Sequence, residues 1–142
     1  MIQILLIEDD PGDADLTEAA LKKSQLKLNL TVIDDGEEGL AYLRQEGDYN
    51  QATHPNLILL DLNLPGLHGR EVLQQIKTDE RINHIPVVIL TTSDDETEVF
   101  RSYKLGANCY VKKPIGLKEF TSIVQSIRDF WFTVVHLPDY CN

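Results

Sequence analysis

The chain has 142 residues, 42% of them hydrophobic and 25% charged, which is typical of one globular domain large enough to bury a core. Its 23 acidic and 13 basic residues give a net charge of −10, so phosphate backbones would repel it and we expect no nucleic-acid binding. The longest apolar stretches fall well short of the roughly 20 residues that a membrane span needs, and no secretory signal opens the chain, so we expect a cytoplasmic protein without a membrane partner.

Short apolar segments alternate with helical patterns along the chain. The segments at residues 4–7, 57–60, 87–90 and 109–112 have the length of strands buried on both faces of a parallel sheet. A further strand at 28–32 alternates apolar and polar residues. The helical patterns begin near residues 11, 36, 69, 94 and 116, and the last runs to residue 132. Strict alternation with right-handed crossovers predicts a doubly wound α/β sandwich around a five-stranded parallel sheet.

Start signals precede two of these helices. Asp10 followed by Pro11 predicts an N-cap with proline in the first helical position, and Asp13 stands at the spacing of a capping box. Ser93 and Glu96 have the same spacing before the fourth helix. Asp10 is therefore interpreted as a helix cap rather than a ligand.

Polar residues stand at the ends of four apolar segments. Glu8 and Asp9 follow the first segment, and Asp61 follows the third. Thr91 closes the fourth, and Lys113 lies just beyond the fifth. Because ligands of open parallel sheets bind beyond the carboxyl ends of the strands, we expect these five side chains to meet in one pocket.

The acids of this pocket would repel one another. Two carboxylates about 4 Å apart repel by roughly 4 kcal/mol at an effective dielectric constant near 20. Three acids (−3) and Lys113 (+1) leave a formal charge of −2, which a divalent cation would neutralise, and all-oxygen ligands suit Mg²⁺ or Mn²⁺. A carboxylate beside Mg²⁺ and a lysine is well placed to attack a phosphoryl group, whose oxygen Thr91 could then bond.

The order of these residues along the chain resembles the receiver domain of bacterial two-component response regulators, over roughly residues 2–130. The residues that carry the resemblance are Glu8-Asp9, Asp61, Thr91 and Lys113-Pro114. The resemblance implies a flavodoxin-like (βα)5 fold with strand order 2-1-3-4-5. It implies that Asp61 accepts a phosphoryl group from a histidine kinase. Such a single-domain regulator is a switch rather than an enzyme, apart from slow autodephosphorylation.

The same resemblance implies a metal site. Asp9 and Asp61 would bind Mg²⁺ directly, with Mn²⁺ as a substitute. The main-chain carbonyl of Asn63 would be a third ligand, and Glu8 would act through water.

It also implies the parts of a switch. Lys113 would contact the phosphoryl group, and the Lys113–Pro114 bond would be cis. Thr91 and Tyr110 resemble the switch pair, in which the hydroxyl moves toward the phosphate and the aromatic ring follows inward. The response would shift the face formed by the fourth helix, fifth strand and fifth helix.

Several segments are similar to the small regulators paired with cyanobacterial phytochromes. They are residues 8–13, 102–103, 107–110, 130–131, 135 and 137–138. This similarity implies a phytochrome-type histidine kinase as the phosphodonor.

Three other functions match part of the pattern. A haloacid-dehalogenase-like phosphatase with an aspartyl-phosphate intermediate needs Asp, Thr or Ser, and Lys at strand ends, but its general acid stands where this chain has Asn63. A calcium-binding loop over residues 9–15 would lack the central glycine and terminal glutamate of an EF-hand. A flavodoxin-like nucleotide-binding protein would need a glycine-rich loop after the first strand, and none follows it.

The C-terminal residues 133–142 are predicted to form an apolar extension to a receiver domain of residues 1–132. Trp131 completes the apolar stripe of the last helix, whereas Phe132, Val134, Val135 and Leu137 are harder to bury in a monomer of this size. Since contiguous exposed apolar surface marks partner sites, we predict a homodimer that uses the switch face and this tail.

Overall fold

The computed structural model describes residues 1–23 and 26–138. Within these residues, one sheet of five parallel strands has the order β2-β1-β3-β4-β5. The strands are β1 (Ile2–Ile7), β2 (Leu28–Ile33), β3 (Leu57–Leu60), β4 (Val87–Thr91) and β5 (Cys109–Lys112). The predicted doubly wound fold and its strand order are thereby confirmed.

Helices cover both faces of the sheet. They are α1 (Pro11–Lys22), α2 (Gly36–Arg44), α3 (Gly69–Thr78), α4 (Glu96–Lys104) and α5 (Leu117–Asp129). α1 and α5 pack on one face, and α2 and α3 pack on the other. No helix in the described ranges combines the length and the apolar character needed to cross a membrane.

Strand β1 shows why the central strands are continuous apolar runs. Leu5 and Ile7 belong to the core cluster under α2 and α3, whereas Ile4 and Leu6 belong to the cluster under α1 and α5. Successive side chains of a strand point to opposite faces, so a strand covered on both faces needs apolar residues at every position. Polar side chains are therefore displaced to the strand ends, where the pocket forms.

The prediction for the start of α1 is half right. Asp10 caps the helix, and its Oδ1 accepts hydrogen bonds from the main-chain N–H groups of Gly12 at 2.9 Å and Asp13 at 3.2 Å. Asp13 does not complete a capping box, because its carboxylate is turned toward Lys113 instead. One aspartate is sufficient for the cap, which leaves the other for the pocket.

The capping box predicted at Ser93 is wrong. α4 begins at Glu96 and is capped by Asp95, whose carboxylate accepts from the N–H of Thr97 at 2.8 Å. The Ser93 hydroxyl instead donates to Glu98 at 2.8 Å. The helix cannot begin earlier because β5 holds the preceding loop: the Tyr110 hydroxyl donates to the carbonyl of Ser93 at 2.8 Å.

The tail is partly folded against the domain. Beyond α5 the chain makes a π-helical turn, Phe130–Val134, and then crosses the amino end of the sheet. Phe132 and Leu137 pack against the core cluster under α1 and α5, while Val134 is exposed. Asn56 holds this segment by donating from Nδ2 to the carbonyl of Pro138 at 3.1 Å. The last part of the predicted extension, residues 139–142, lies outside the described residues.

Candidate functional site

The candidate site lies at the carboxyl end of the sheet, where the central strands end side by side. Ile7 of β1 is opposite Leu60 of β3, so the following residues, Glu8 and Asp61, are brought together. Glu8 and Asp61 are 3% and 5% exposed, and Lys113 from the end of β5 is 4% exposed. The structure thus buries three ionisable side chains in one small space.

The Lys113 ammonium is the centre of this space. Its Nζ donates to Oδ2 of Asp61 at 3.2 Å, to Oδ2 of Asp13 at 3.0 Å and to Glu8. The main chain fixes the lysine as well, because its N–H donates to the carbonyl of Thr91 at 2.6 Å. A buried ammonium needs such partners, and here carboxylates from three separate elements supply them.

Three carboxylates form an acidic cluster at the mouth of the pocket. One oxygen each of Glu8, Asp9 and Asp61 can be chosen so that all lie within 4.8 Å of one another, and Asp9 is exposed to solvent. Oxygen ligands in this arrangement suit a hard divalent cation such as Mg²⁺ or Mn²⁺. The cluster can therefore hold such a cation, which would enter from the side of Asp9.

The acids differ in their proton affinity. Burial and a hydrogen bond to Asp61 raise the pKa of Glu8 to about 8, and Lys113 offsets only part of this effect. Burial also opposes ionisation of Asp61, but hydrogen bonds from Glu8, from the N–H of Asn63 and from Lys113 outweigh it and lower the pKa of Asp61. The metal-free pocket therefore keeps Asp61 as a carboxylate, the form that can act as a nucleophile.

Asn63 links Asp61 to the fourth strand. Its N–H donates to Oδ1 of Asp61 at 3.0 Å, and its side-chain Nδ2 donates to the hydroxyls of Thr91 at 3.2 Å and Thr92 at 3.3 Å. Thr91 is fully buried, whereas Asn63 and Thr92 are exposed. The Thr91 hydroxyl is thus held at the wall of the pocket.

Similarity to known proteins decides the family. A sequence profile of the response regulator receiver domain matches residues 4–125. The chain belongs to the response regulator receiver domain family.

Two relatives of this receiver resemble it over nearly its whole length. Response regulator Rcp1 of Synechocystis sp. is 47% identical over 135 residues, which are 95% of this chain and 92% of Rcp1. The crystal structure of the Mn²⁺-bound form of Rcp1 has a TM-score of 0.95 and 45% identity, covering 98% of this chain and 100% of that one. The phosphorylated cyanobacterial phytochrome response regulator RcpA also has a TM-score of 0.95, with 46% identity over 97% of this chain and 99% of its own.

The family predicted from the sequence is thereby confirmed, as is the similarity to cyanobacterial phytochrome regulators. A receiver is a signalling domain rather than a turnover enzyme, and the haloacid-dehalogenase-like alternative is not supported. In the structure the main-chain N–H of Asn63 donates to Asp61 and its side-chain amide donates to two threonines. An amide is not acidic enough to serve as a general acid.

Tyr110 lies on β5, beside Ile89 of β4. It is half-buried and packs against the core cluster under α2 and α3. Its hydroxyl donates to the carbonyl of Ser93, and its N–H donates to the hydroxyl of Tyr103 on α4 at 3.1 Å. Tyr110 therefore connects the loop after Thr91, through its hydroxyl, to α4, through its main-chain N–H.

The predicted cis peptide at Lys113–Pro114 is wrong. The described residues contain no cis peptide bond, so this bond is trans. The trans form of a bond before proline is favoured by about 0.5–1 kcal/mol. Lys113 reaches its three carboxylate partners from the trans main chain, so its contacts do not require the other isomer.

Asp13 is the pocket residue that sequence reasoning missed. It was interpreted as part of a helix cap, yet its carboxylate lies in contact with Lys113. Asp10 alone accounts for the cap, so the carboxylate of Asp13 is left for another partner. The spacing from Asp9 does not identify that partner, because Asp9 precedes the N-cap and lies outside the helix.

Proposed function

We propose that this receiver is a phosphoacceptor switch in which Asp61 takes a phosphoryl group from a histidine kinase in a Mg²⁺-dependent reaction. The observation that carries the proposal is a buried carboxylate with a lowered pKa, 3.2 Å from a lysine ammonium and beside two further acids. A nucleophile, a cation and a metal site are the parts that phosphoryl transfer needs.

In the proposed step an oxygen of Asp61 attacks the phosphorus atom of the donor. An O–P bond forms as the N–P bond to the kinase histidine breaks, and the imidazole leaves with the bonding electron pair and takes up a proton. Lys113 offsets the charge on the transferred oxygens. A bound Mg²⁺ would supply further positive charge, held by Asp9, Asp61 and the carbonyl of Asn63, with Glu8 acting through water; Mn²⁺ would substitute.

The phosphoryl group would then be read by Thr91 and Tyr110. The Thr91 hydroxyl, which accepts from Asn63 in the structure, would turn to donate to a phosphoryl oxygen. The loop after Thr91 would follow, and with it the hydrogen bond from Tyr110 to Ser93. The phosphate would thereby shift the conformational equilibrium of the face formed by α4, β5 and α5. Slow autodephosphorylation would return it to the starting state.

Several finer features belong to the same proposal. The donor would be a phytochrome-type histidine kinase, which is supported by the likeness to RcpA, and signalling would take place in the cytoplasm without nucleic-acid binding. The receiver domain would span residues 1–132 and the extension residues 133–142. A homodimer through the α4-β5-α5 face and the tail is supported by exposed apolar side chains on both, namely Phe100, Tyr103, Phe130 and Val134.

Labelling by acetyl phosphate tests the proposal. The wild type should incorporate phosphate in the presence of Mg²⁺ and should incorporate none when the metal is chelated beforehand. Asp61→Asn should incorporate none, whereas Asp48→Asn, which removes the same charge from an exposed site, should behave like the wild type. Equal labelling of Asp61→Asn and wild type would show that another residue is the acceptor. Phosphotransfer from a phytochrome-type kinase, with the same variants, tests the donor.

A further inference from the structure

Asp13 gives Lys113 a third anchor. An ammonium group carries three protons, and the three partners of Lys113 are the carboxylates of Glu8, Asp13 and Asp61. They come from the end of β1, the first turn of α1 and the end of β3. In the described residues the ammonium is therefore held in a tripod of carboxyl groups, and its orientation depends on all of them.

Asp13 differs from the other two anchors in its surroundings. Its side chain is 30% exposed, against 2% for Glu8 and 7% for Asp61, so it closes the solvent side of the tripod. In the described part of the chain its carboxylate bonds to Lys113 alone. Only the main-chain N–H of Asp13 takes part in the helix cap, and its carboxylate is not one of the three that can surround a cation. Its carboxylate thus has one evident task, which is to hold the ammonium.

We propose that Asp13 is a positioning residue, which fixes the Lys113 ammonium for phosphoryl transfer to Asp61; this rests on the proposed function of Asp61. When Asp61 becomes phosphorylated, its contact with the ammonium passes to a phosphoryl oxygen. Glu8 and Asp13 then remain as the two fixed anchors. Without Asp13 the ammonium keeps one fixed anchor and turns about it, so it meets the transferred oxygens in a poorer geometry.

Lysine ammonium NMR tests the anchor without any phosphorylation. In ¹⁵N-edited spectra of the metal-free wild type, a buried ammonium with three partners should give one slowly exchanging signal, which Lys113→Met removes. Asp13→Asn should broaden or abolish this signal, because an exposed proton exchanges with water. Asp15→Asn makes the same change at an exposed residue of α1 and should leave the signal intact. An unchanged signal in Asp13→Asn would overturn the anchor.

Labelling kinetics test its consequence. With acetyl phosphate and saturating Mg²⁺, Asp13→Asn should lower the maximal labelling rate about tenfold without raising the donor concentration for half-maximal rate, because a positioning group acts at the transfer step. Asp15→Asn should stay within about twofold of wild type. Asp13→Glu retains the carboxylate and should recover most of the rate. Equal loss in Asp13→Asn and Asp15→Asn, or no recovery in Asp13→Glu, would overturn the positioning role.

The two proposals fail in different ways. If Asp61→Asn were labelled as well as wild type, the phosphoacceptor assignment would fall, while the ammonium signal would still report on the Asp13 anchor. If Asp61→Asn were unlabelled and Asp13→Asn had wild-type kinetics, only the positioning role would fall. If Asp13→Asn unfolds below the assay temperature, Asp13→Glu is tested in its place. This variant should show a wild-type ammonium signal and a wild-type labelling rate.

Discussion

Removing the Lys113 ammonium should destabilise the metal-free protein far more than removing the neighbouring Lys112 ammonium. Lys113 lies 3.0 Å and 3.2 Å from two carboxylates and contacts a third, and its side chain is 4% exposed. At an effective dielectric constant near 20, each such pair attracts by about 5 kcal/mol, and the cost of burying the charges offsets most of this sum. Removing one partner of a buried ion pair costs about 3–5 kcal/mol, because the charges left behind are uncompensated.

Thermal unfolding of Lys113→Met and Lys112→Met, without metal at about pH 8, measures the difference. Methionine keeps the unbranched stem in both variants and removes one charge. For a domain of this size, we expect Tm to fall by roughly 6–20 °C in Lys113→Met. The Lys112–Asp94 pair is 53% and 70% exposed, so its loss should cost at most about 1 kcal/mol.

The destabilisation caused by Lys113→Met should depend on pH, and the direction of this dependence can be measured. The pKa of Glu8 is raised to about 8 in the folded state from an ordinary value of 4.5, so the folded state binds more protons between these values and stability falls as pH rises through them. Without Lys113 the folded-state pKa of Glu8 rises further, because the ammonium no longer stabilises the ionised carboxylate. The cost of Lys113→Met should therefore grow as pH rises through about 8, where Glu8 ionises in the wild type but stays protonated in the variant, and Mg²⁺ should recover more Tm in this variant than in wild type. Equal costs for both lysines, or a cost independent of pH, would refute the reasoning.

Three further predictions concern the scaffold around the pocket. A Cβ at Gly69 would overlap main-chain atoms at Asp61, so Gly69→Ala should destabilise the protein by about 1–3 kcal/mol in urea unfolding and should slow labelling. Asn56→Ala removes the acceptor of the Gln3 N–H and the donor to the Pro138 carbonyl, so it should cost about 1–3 kcal/mol and speed proteolysis of the tail. An unchanged rate of proteolysis would show that Asn56 does not hold the tail. Hydrogen bonds from Arg81 and Arg44 hold the pKa of Asp79 well below its ordinary value of 3.8, so Asp79→Asn should lower Tm at neutral pH, and the difference should shrink as pH falls from 3.8 toward the lowered folded-state pKa.

The sequence was sufficient for the sheet and for most of the pocket. A strand covered on both faces must be apolar at every position, so β1, β3 and β4 stand out as continuous apolar runs. Parallel strands present all their carboxyl ends at one edge, so the polar residues that follow each run are neighbours wherever they stand in the chain. The meeting of Glu8, Asp61 and Lys113 follows from these two facts together with the strand order, which sets β1 and β3 side by side and β5 beyond β4.

The start of α4 illustrates what sequence reasoning did not settle. Ser93 and Asp95 are both good N-cap residues, and propensity does not choose between them. Contacts with β5 decide, because the Tyr110 hydroxyl holds the carbonyl of Ser93 and keeps the loop out of the helix. The bond before Pro114 is likewise not settled by residue type, because the two isomers of such a bond differ by only about 0.5–1 kcal/mol, and in the structure it is trans.

Sequence and tertiary structure thus determine different things about this receiver. Local periodicity and strand ends are properties of short segments, so the alternating α/β pattern, the edge that carries the site and the residue types gathered there can be predicted without a structure. Which carboxylate the Lys113 ammonium selects depends on distances between groups 100 residues apart. The tertiary structure alone assigns Asp13 to Lys113 and Asp10 to the helix cap. Both are aspartates at the start of α1 that fit the capping-box pattern, and only Asp13 lies within hydrogen-bond distance of the ammonium.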